Sequence, residues 1–380
     1  MPWSRFSAFT PAMTGPRYTQ LIDSLPASVP FVGPETQERA RGHAFLARLG
    51  ANENVFGPSP RAALAMTRAS REVWMYGDPE NHDLKSALGA HLGVSPENIV
   101  VGEGIDGLLG YLARLLVAPG DPVVTSDGAY PTVNYHVAGY GGVIHKVPYK
   151  DDREDPEALI AAAADTGAKF VYFANPDNPM GTWHDAGTVQ RMIDSVAMGT
   201  VLILDEAYLE FAPADTAPKI DADDPRVIRM RTFSKGYGMA GARVGYAIGH
   251  RDLIRAFDKI RNHFGMCRIS QAGALAALAD QAYLAEVIEQ VAHARRDIAR
   301  IARTHGLSPL PSATNFVTVD CGQDGDFARR VLGELVARGI FIRMPFTAPQ
   351  DRCIRISCGR AQDIARLAAA LPDALAAARA

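Results

Sequence analysis

One lysine in a glycine-rich segment is the residue of this chain best suited to covalent chemistry. Lys235 follows Ser234, and Arg243 comes eight residues later, just before an apolar run. A lysine amine can form a Schiff base with a carbonyl compound, while a hydroxyl and a planar guanidinium group are suited to a phosphate. Pyridoxal phosphate carries both an aldehyde and a phosphate. A serine–lysine pair alone fits a surface loop equally well, so the interpretation depends on two segments upstream.

The first upstream segment places an acid at the end of an apolar run. Residues 200–208 read Thr-Val-Leu-Ile-Leu-Asp-Glu-Ala-Tyr, a pattern typical of a buried parallel strand. Asp205 would then lie at the carboxyl edge of the sheet, where open α/β sheets bind ligands. A carboxylate there can pair with a protonated pyridine nitrogen, which makes the ring an electron sink. Tyr208, three residues on, is within reach of the phenolic oxygen of such a ring.

The second upstream segment is a proline–glycine turn. The apolar run 170–174 is followed by Asn-Pro-Asp-Asn-Pro-Met-Gly at 175–181, which presents the amide of Asn178. Turns of this kind are common singly. The order and spacing of all three segments together predict a pyridoxal phosphate site.

On these segments the chain resembles the fold-type I pyridoxal-phosphate-dependent aminotransferases of class I/II, in their histidinol-phosphate and aromatic aminotransferase-like branch. The resemblance covers about residues 49–359. It implies an α/β fold in which a large domain with a mostly parallel, seven-stranded-type sheet carries a smaller α+β domain. It also implies a homodimer that moves an amino group between an amino acid or amine, such as histidinol phosphate or an aromatic amino acid, and a 2-oxo acid.

The resemblance also assigns roles to individual residues. Lys235 would form the Schiff base, Asp205 would pair with the pyridine nitrogen, and Tyr208 would complete the catalytic set beside the phenolic oxygen. The cofactor-binding residues it implies are Gly104, Ile105, Asp106, Val133, Asn178, Asp205, Tyr208, Thr232, Ser234, Lys235, Arg243 and, reaching the neighbouring subunit's phosphate, Tyr76. The substrate-binding residues it implies are Asn52, Asn178, Arg343 and Arg355, the last of these holding the substrate carboxylate.

The chain departs from the family pattern at three positions. Met180 replaces the usual threonine of Asn-Pro-Thr-Gly, and Val55 stands where a proline is common; we expect little effect from either. Val133 stands where the family usually has an aromatic residue stacked on the cofactor ring. Either Tyr130 or Tyr135 then takes that role, or the stacking is weak.

A second ligand motif competes with this interpretation. Gly102, Gly104 and Gly107 form a G-x-G-x-x-G run between a predicted strand and a predicted helix, and Asp127 follows about 20 residues later, as in a dinucleotide site. A glycine turn into a helix N-terminus binds anions in general, and in the resembling family it cradles the cofactor phosphate. An NAD-dependent oxidoreductase is therefore the competing hypothesis from another enzyme class, but it leaves Lys235 and Asp205 without a role.

Two further reactions of pyridoxal phosphate are compatible with the same scaffold. A decarboxylase similar to threonine-phosphate decarboxylase or a β-lyase would need the same lysine and aspartate. A regulatory domain that binds the cofactor without catalysis is a third possibility, and the intact set of Lys235, Asp205, Asn178 and Arg243 argues against it.

Bulk composition indicates a cytoplasmic enzyme with small-molecule substrates. The 380 residues carry a net charge of -3 and no basic cluster, which argues against a nucleic-acid partner. No apolar run approaches roughly 18 residues, so no membrane span is predicted, and the first 20 residues lack a secretion signal. The four cysteines have neither the spacing of a metal site nor that of a disulfide framework.

The pattern along the chain predicts three parts. Residues 1–45, with six prolines, form an N-terminal arm that joins the small domain; 46–270 form the large cofactor-binding domain, and 271–380 the small one. The predicted strands are 98–101, 122–125, 170–173, 201–204, 227–231 and 244–248 in the large domain and 315–319, 339–343 and 354–357 in the small one. An amphipathic helix over 283–304 should connect the two domains.

Overall fold

The computed structural model describes residues 15–27 and 32–380, so part of the predicted N-terminal arm lies outside the described residues. The helices are α1 Gln20–Ser24, α2 Pro34–Arg41, α3 Pro60–Ala69, α4 His82–Leu92, α5 Gly104–Leu116, α6 Thr132–Gly139, α7 Pro156–Thr166, α8 Ala186–Ser195, α9 Arg251–Ala256, α10 Arg268–Leu278, α11 Gln281–Thr304, α12 Gly325–Ala337 and α13 Ala361–Arg379. The strands are β1 Ala47–Arg48, β2 Ile99–Gly102, β3 Pro122–Ser126, β4 Val143–Val147, β5 Phe170–Ala174, β6 Val201–Asp205, β7 Val227–Thr232, β8 Gly245–Gly249, β9 Ser308–Pro309, β10 Phe316–Asp320, β11 Ile340–Phe341 and β12 Cys353–Ser357.

The central sheet has seven strands in the order β2-β8-β7-β6-β5-β3-β4. Strand β8 runs antiparallel to both of its neighbours, and the other pairs are parallel. Every residue of β5 is buried, as expected of a parallel strand covered by helices on both faces. The predicted α/β fold with a mostly parallel seven-stranded sheet is confirmed.

Strand β4 of this sheet was not predicted from the sequence. Strand β4 lies at the edge and is exposed at several positions, with His145 and Lys146 interrupting its apolar residues. A half-exposed edge strand does not give the continuous apolar run that marks a buried one. The other strands of the sheet lie within one or two residues of their predicted bounds.

The C-terminal part forms a second core. An antiparallel sheet in the order β12-β10-β9 packs with α11, α12 and α13. Strand β1 pairs in parallel with β11, and Ala47 and Leu49 are buried in this same core. The chain therefore contributes to the second core up to residue 49, beyond the predicted end of the arm at 45. Helix α10 spans the predicted boundary at 270 and packs against α3 and α4 of the large domain.

The topology brings the ends of several strands to one edge of the large sheet. Strands β3, β5 and β6 end there, β7 leads into the lysine segment, and β2 leads into the N-terminus of α5. None of the helices within residues 15–27 and 32–380 combines the length and the apolar composition needed to cross a bilayer.

Candidate active site

A cavity of about 540 Å³ opens at this edge, between the large sheet and the small-domain strands. Its walls collect residues that lie far apart in the sequence. The sequence-predicted residues among them are Asn52, Ile105, Asp106, Asn178, Asp205, Tyr208, Thr232, Ser234, Lys235, Arg243, Arg343 and Arg355. Side chains from both cores therefore face a single space.

Lys235 lies on a loop that is fixed by backbone contacts. The side-chain amide of Asn54 donates to the carbonyl oxygens of Lys235, at 3.0 Å, and Gly236, at 3.1 Å. Gly238 adopts φ +67°, and a Cβ there would lie 2.2 Å from the carbonyl oxygen of Gly57. The loop thus packs backbone against backbone, which only glycine allows. The Lys235 amine donates to the Asn52 carbonyl at 3.1 Å and lies within the cavity.

Asp205 is the last residue of β6 and is 5% exposed. Its carboxylate accepts hydrogen bonds from the Tyr172 hydroxyl at 2.6 Å and from the Ala207 amide at 2.9 Å. Burial raises the pKa of Asp205 to about 6 despite these bonds, because its charge is removed from water. Tyr172 was not predicted from the sequence, because its only signal is a tyrosine inside an apolar strand.

An anion cradle lies at the N-terminus of α5. Arg243 approaches Ser234 Oγ at 3.3 Å and forms an ion pair with Asp106 at 3.4 Å. Gly104 begins the helix with φ +78°, and a Cβ at this position would lie 2.4 Å from a guanidinium nitrogen of Arg243. Thr232 Oγ1 accepts from the Ser234 amide at 3.0 Å and so orients the serine. Free amides, a hydroxyl and a guanidinium group converge as a bound phosphate requires.

Two arginines meet on the opposite wall of the cavity. Arg343 and Arg355 form an isolated antiparallel bridge, in which the Arg355 amide donates to the Arg343 carbonyl at 2.6 Å. The Arg355 guanidinium donates to the side-chain oxygen of Asn178 and to the Gly50 carbonyl, and its Nε has no partner. Burial lowers the pKa of Arg355 to about 10, so the group stays charged at neutral pH. Arg343 donates to the Val32 carbonyl at 2.9 Å.

Asn52 is the centre of a hydrogen-bond network. Its side-chain nitrogen donates to the Tyr208 hydroxyl at 3.2 Å, and its side-chain oxygen accepts from the Ser357 hydroxyl at 2.8 Å. Its carbonyl accepts from both Lys235 and Asn315. The backbone at Asn52 has φ +55°, which these contacts hold in place. The amide therefore links the lysine, the tyrosine and the small domain.

Two predicted contacts lie away from the cavity. Val133, on α6, is buried in the large-domain core and is not among the residues that line the cavity, so its role as a cofactor contact stays a prediction. Of the two aromatic candidates for stacking, Tyr130 lines the cavity and donates to Asp106 at 3.0 Å, whereas Tyr135 is 46% exposed outside it. Tyr76 is 76% exposed and is not among the residues that line the cavity of the single chain, so its role at a neighbouring subunit stays a prediction.

The donor set fits pyridoxal phosphate. An amine, a buried carboxylate and an anion cradle lie in one cavity, and the cradle has no room for a Cβ at Gly104. Each matches a group of that molecule: the aldehyde, the pyridine nitrogen and the phosphate.

Comparison with known proteins places the chain among enzymes of this type. The family model described as "Aminotransferase class I and II" matches residues 46–371. The histidinol-phosphate aminotransferase of Moorella thermoacetica is 32% identical over 370 residues, which cover 96% of this chain and 95% of that protein. Histidinol-phosphate aminotransferase 2 of Ralstonia nicotianae is 34% identical over 373 residues, which cover 96% of this chain and 98% of that protein.

A solved structure extends the likeness. The crystal structure of histidinol-phosphate aminotransferase from Sinorhizobium meliloti, in complex with pyridoxal-5'-phosphate, matches with a TM-score of 0.93 and 56% identity over 95% of this chain and 98% of that one. None of these comparisons favours the decarboxylase, the β-lyase or the NAD-dependent oxidoreductase.

Proposed function

Because the chain belongs to the class I and II aminotransferase family, we propose that its amino donor is histidinol phosphate and its acceptor a 2-oxo acid such as 2-oxoglutarate. The enzyme is a pyridoxal-phosphate-dependent aminotransferase. The names of the relatives suggest the donor, and the pairing of Arg343 with Arg355 in the cavity is the observation that carries it.

The two guanidinium groups suit a doubly charged terminus. A phosphate monoester can accept several hydrogen bonds from a pair of arginines, and such charge-assisted bonds are among the stronger ones in proteins. Arg355 also has an unpaired buried Nε, which a bound anion would satisfy. The same pair can hold a carboxylate of glutamate or 2-oxoglutarate, so one site serves both half-reactions.

The remaining residues divide the chemistry among them. Bound pyridoxal phosphate supplies the electron sink that makes amino transfer possible. In our proposal the Lys235 amine moves the proton at the substrate α-carbon as general acid and base. Asp205 favours a positive charge on the ring nitrogen, and Asn52 orients the Tyr208 hydroxyl beside the ring oxygen.

A second group of residues anchors the cofactor. Ser234, Arg243 and the amides of Gly104, Ile105 and Asp106 would hold the phosphate. Tyr130, at the cavity wall, would contact the ring in place of the aromatic residue that Val133 replaces.

We also propose that the active enzyme is a homodimer with shared sites. Trp74 and Tyr76 are exposed by 80% and 76%, and the Tyr76 ring lies 4.9 Å from that of the exposed Phe264. Exposed apolar patches of this kind mark interaction surfaces, and a two-fold interface presents each patch twice. Tyr76 would then reach the phosphate in the partner's site. We place the enzyme in the cytoplasm, where its free thiols fit a reducing compartment.

A panel of amino donors with 2-oxoglutarate tests the proposed substrate. Histidinol phosphate should exceed histidinol in kcat/KM on the order of 100-fold, since two hydrogen bonds to a charged group are worth about 3 kcal/mol or more. Arg343→Met should remove most of that ratio while leaving histidinol almost unaffected. Equal rates with both donors would mean that the phosphate is not recognised and would contradict the proposal. A preference for phenylalanine or tyrosine would replace histidinol phosphate by an aromatic amino acid.

A further inference from the structure

Two buried acids lie directly behind the cavity wall. Glu154 precedes α7 and Asp177 lies in the turn after β5, and each is 2% exposed. Neither side chain lines the cavity. Carboxyl groups are seldom fully buried without a partner of opposite charge, so the presence of two in contact requires a reason.

Both carboxyl groups are fully engaged in hydrogen bonds. Glu154 accepts from the Ser126 hydroxyl at 2.7 Å and from the Ala174 amide at 3.1 Å, and it hydrogen-bonds Asp177. Asp177 accepts from the Tyr149 hydroxyl at 2.8 Å and from the Met180 amide at 3.0 Å. These bonds join the ends of β3 and β5 to the turn that carries Asn178.

A hydrogen bond between two carboxyl groups requires that one of them be protonated, because a carboxylate only accepts. Burial and the neighbouring charge raise the pKa of Glu154 well above its ordinary value, and burial raises the pKa of Asp177 to about 6. The pair therefore holds one proton, and the stronger rise in pKa favours its position on Glu154. The titratable and charged groups that face the pair are Tyr149, Tyr172 and Arg355. Asp127 lies near Tyr149, and His184 bonds the backbone carbonyl of Glu154.

The pair connects two walls of the active site. Ser126, bound to Glu154, ends β3 immediately before the loop that carries Tyr130. Asp177 precedes Asn178, whose side-chain oxygen accepts from the Arg355 guanidinium. We propose that Glu154 and Asp177 form a buried acid–carboxylate pair that shares one proton and positions Asn178 and the Tyr130 loop for amino transfer. Both are positioning residues, since neither reaches the cavity.

Three variants of the holoenzyme test the proposal. Glu154→Gln keeps a donor to Asp177 but has no proton to lose, while Glu154→Met removes the donor at similar size. Glu157→Gln, which neutralises an exposed acid in the first turn of α7, is the matched control. The first reading is the reaction with L-glutamate alone, followed by the absorbance of the bound cofactor.

Glu154→Met should raise the glutamate concentration that gives half the maximal rate on the order of tenfold. This factor corresponds to the free energy of one hydrogen bond to a charged group. The limiting rate should change less, because a displaced Asn178 and Arg355 weaken binding. Glu154→Gln should stay within about twofold of the natural enzyme, since the amide retains the donor. Simple loss of folded protein would lower the rate without changing the half-maximal concentration.

The second reading is the pH dependence of Tm, which needs no turnover. A carboxyl whose pKa is raised by folding stabilises the protein below its unfolded pKa and loses that contribution as pH rises through the folded value. Between about pH 5 and pH 8 the Tm of Glu154→Gln should therefore fall less than that of the natural enzyme or of Glu157→Gln. Equal slopes in all three proteins, or equal glutamate kinetics in Glu154→Met and Glu154→Gln, would overturn the proposal.

The proposal does not depend on histidinol phosphate as the donor. If L-glutamate gives no reaction, the donor assignment is at fault, and the Tm slopes still decide the role of the acid pair. If Glu154→Met does not fold, the comparison of Glu154→Gln with Glu157→Gln decides it in the same way.

Discussion

Asp205 combines a cost in the free energy of folding with a proposed chemical role. Its carboxyl group is buried at the end of β6, and burial raises its pKa to about 6 from 3.8. In the cofactor-free protein the ionised group is therefore costly at neutral pH. A positively charged ring nitrogen would offset that cost. In our proposal, Asp205 therefore favours charge on the cofactor ring, and the bound cofactor in turn stabilises the buried carboxylate.

Replacing Asp205 by Asn should affect activity and stability in opposite directions. Amino transfer should fall by about 100-fold or more, because a neutral amide no longer favours charge on the ring nitrogen. The cofactor-free variant should be more stable than the natural protein at pH 8, by at most about 3 kcal/mol for a shift of two pKa units. Denaturant unfolding of both cofactor-free proteins measures the difference.

The sign follows from the raised pKa. The natural Asp205 stabilises the fold below pH 4 and loses that contribution as pH rises to about 6. The two proteins should therefore diverge between these pH values and differ by a constant amount above pH 6. Equal stability at pH 8, or a wild-type transfer rate in the variant, would reduce Asp205 to a strand-end carboxylate.

Sequence patterns identified the residues that touch the cavity better than those that support them. Lys235, Asp205 and Asn178 follow strands or lie in glycine–proline turns, which have visible signatures. Tyr172 lies within an apolar strand and Glu154 in the loop before α7, and both act through contacts between segments far apart in sequence. No local pattern records such contacts, so only the folded chain reveals them.

At the scale of secondary structure, the N-terminus of α5 and strand β8 form a unit. A Cβ at Gly245 of β8 would lie 2.7 Å from the carbonyl carbon of Gly104, so the strand and the helix start touch through backbone atoms. The G-x-G-x-x-G run therefore has a structural explanation without a dinucleotide, because its second glycine opens the helix beneath Arg243.

Gly104→Ala should weaken cofactor binding. The new Cβ would displace Arg243, and the lost charge-assisted hydrogen bond to the phosphate should raise Kd on the order of tenfold or more. Gly139→Ala is the control, since nothing lies within 4 Å of a Cβ there and φ is not positive; its affinity should not change. Titration of cofactor-free protein with pyridoxal phosphate measures both, and equal Kd values would remove Arg243 from the phosphate site.

Some strands and one domain boundary were not predicted correctly from the sequence. Buried strands with continuous apolar runs, such as β5 and β6, were predicted nearly to the residue, whereas the exposed edge strand β4 was missed. The predicted boundary at 270 falls inside α10, because helical periodicity does not indicate which core a helix packs against. Long-range pairing, like that of β1 with β11, leaves no local signal.

At the scale of the whole molecule, our proposal is that a second copy of the chain covers the exposed patch around Tyr76. The Tyr76 and Phe264 rings lie 4.9 Å apart on the surface of the chain, and Trp74, two residues before Tyr76, is also exposed. The phosphate cradle comes from α5 and the lysine loop of the same chain. A tyrosine from the partner would therefore add one contact to a phosphate site that is already formed.

Mixing two defective proteins tests the shared site. Lys235→Ala and Tyr76→Phe subunits, allowed to exchange, should form heterodimers in which one site is intact and the other carries both defects. Activity should then rise above the sum of the separate proteins, because a C2 dimer combines residues from both chains. A monomer at working concentration, or no gain after exchange is verified by mass, would count against Tyr76 acting in the partner's site.

The most direct measurement concerns Lys235 itself. The purified holoenzyme is treated with borohydride, which reduces the bond between a lysine and the cofactor to a stable amine. The protein is then digested, and the peptide masses are measured by mass spectrometry. We expect the pyridoxyl mass on the peptide that contains Lys235, and we expect Lys235→Ala to lose amino transfer by at least about a thousandfold, since covalent and acid–base catalysis disappear together. A label on another lysine, or a wild-type rate in Lys235→Ala, would contradict the account.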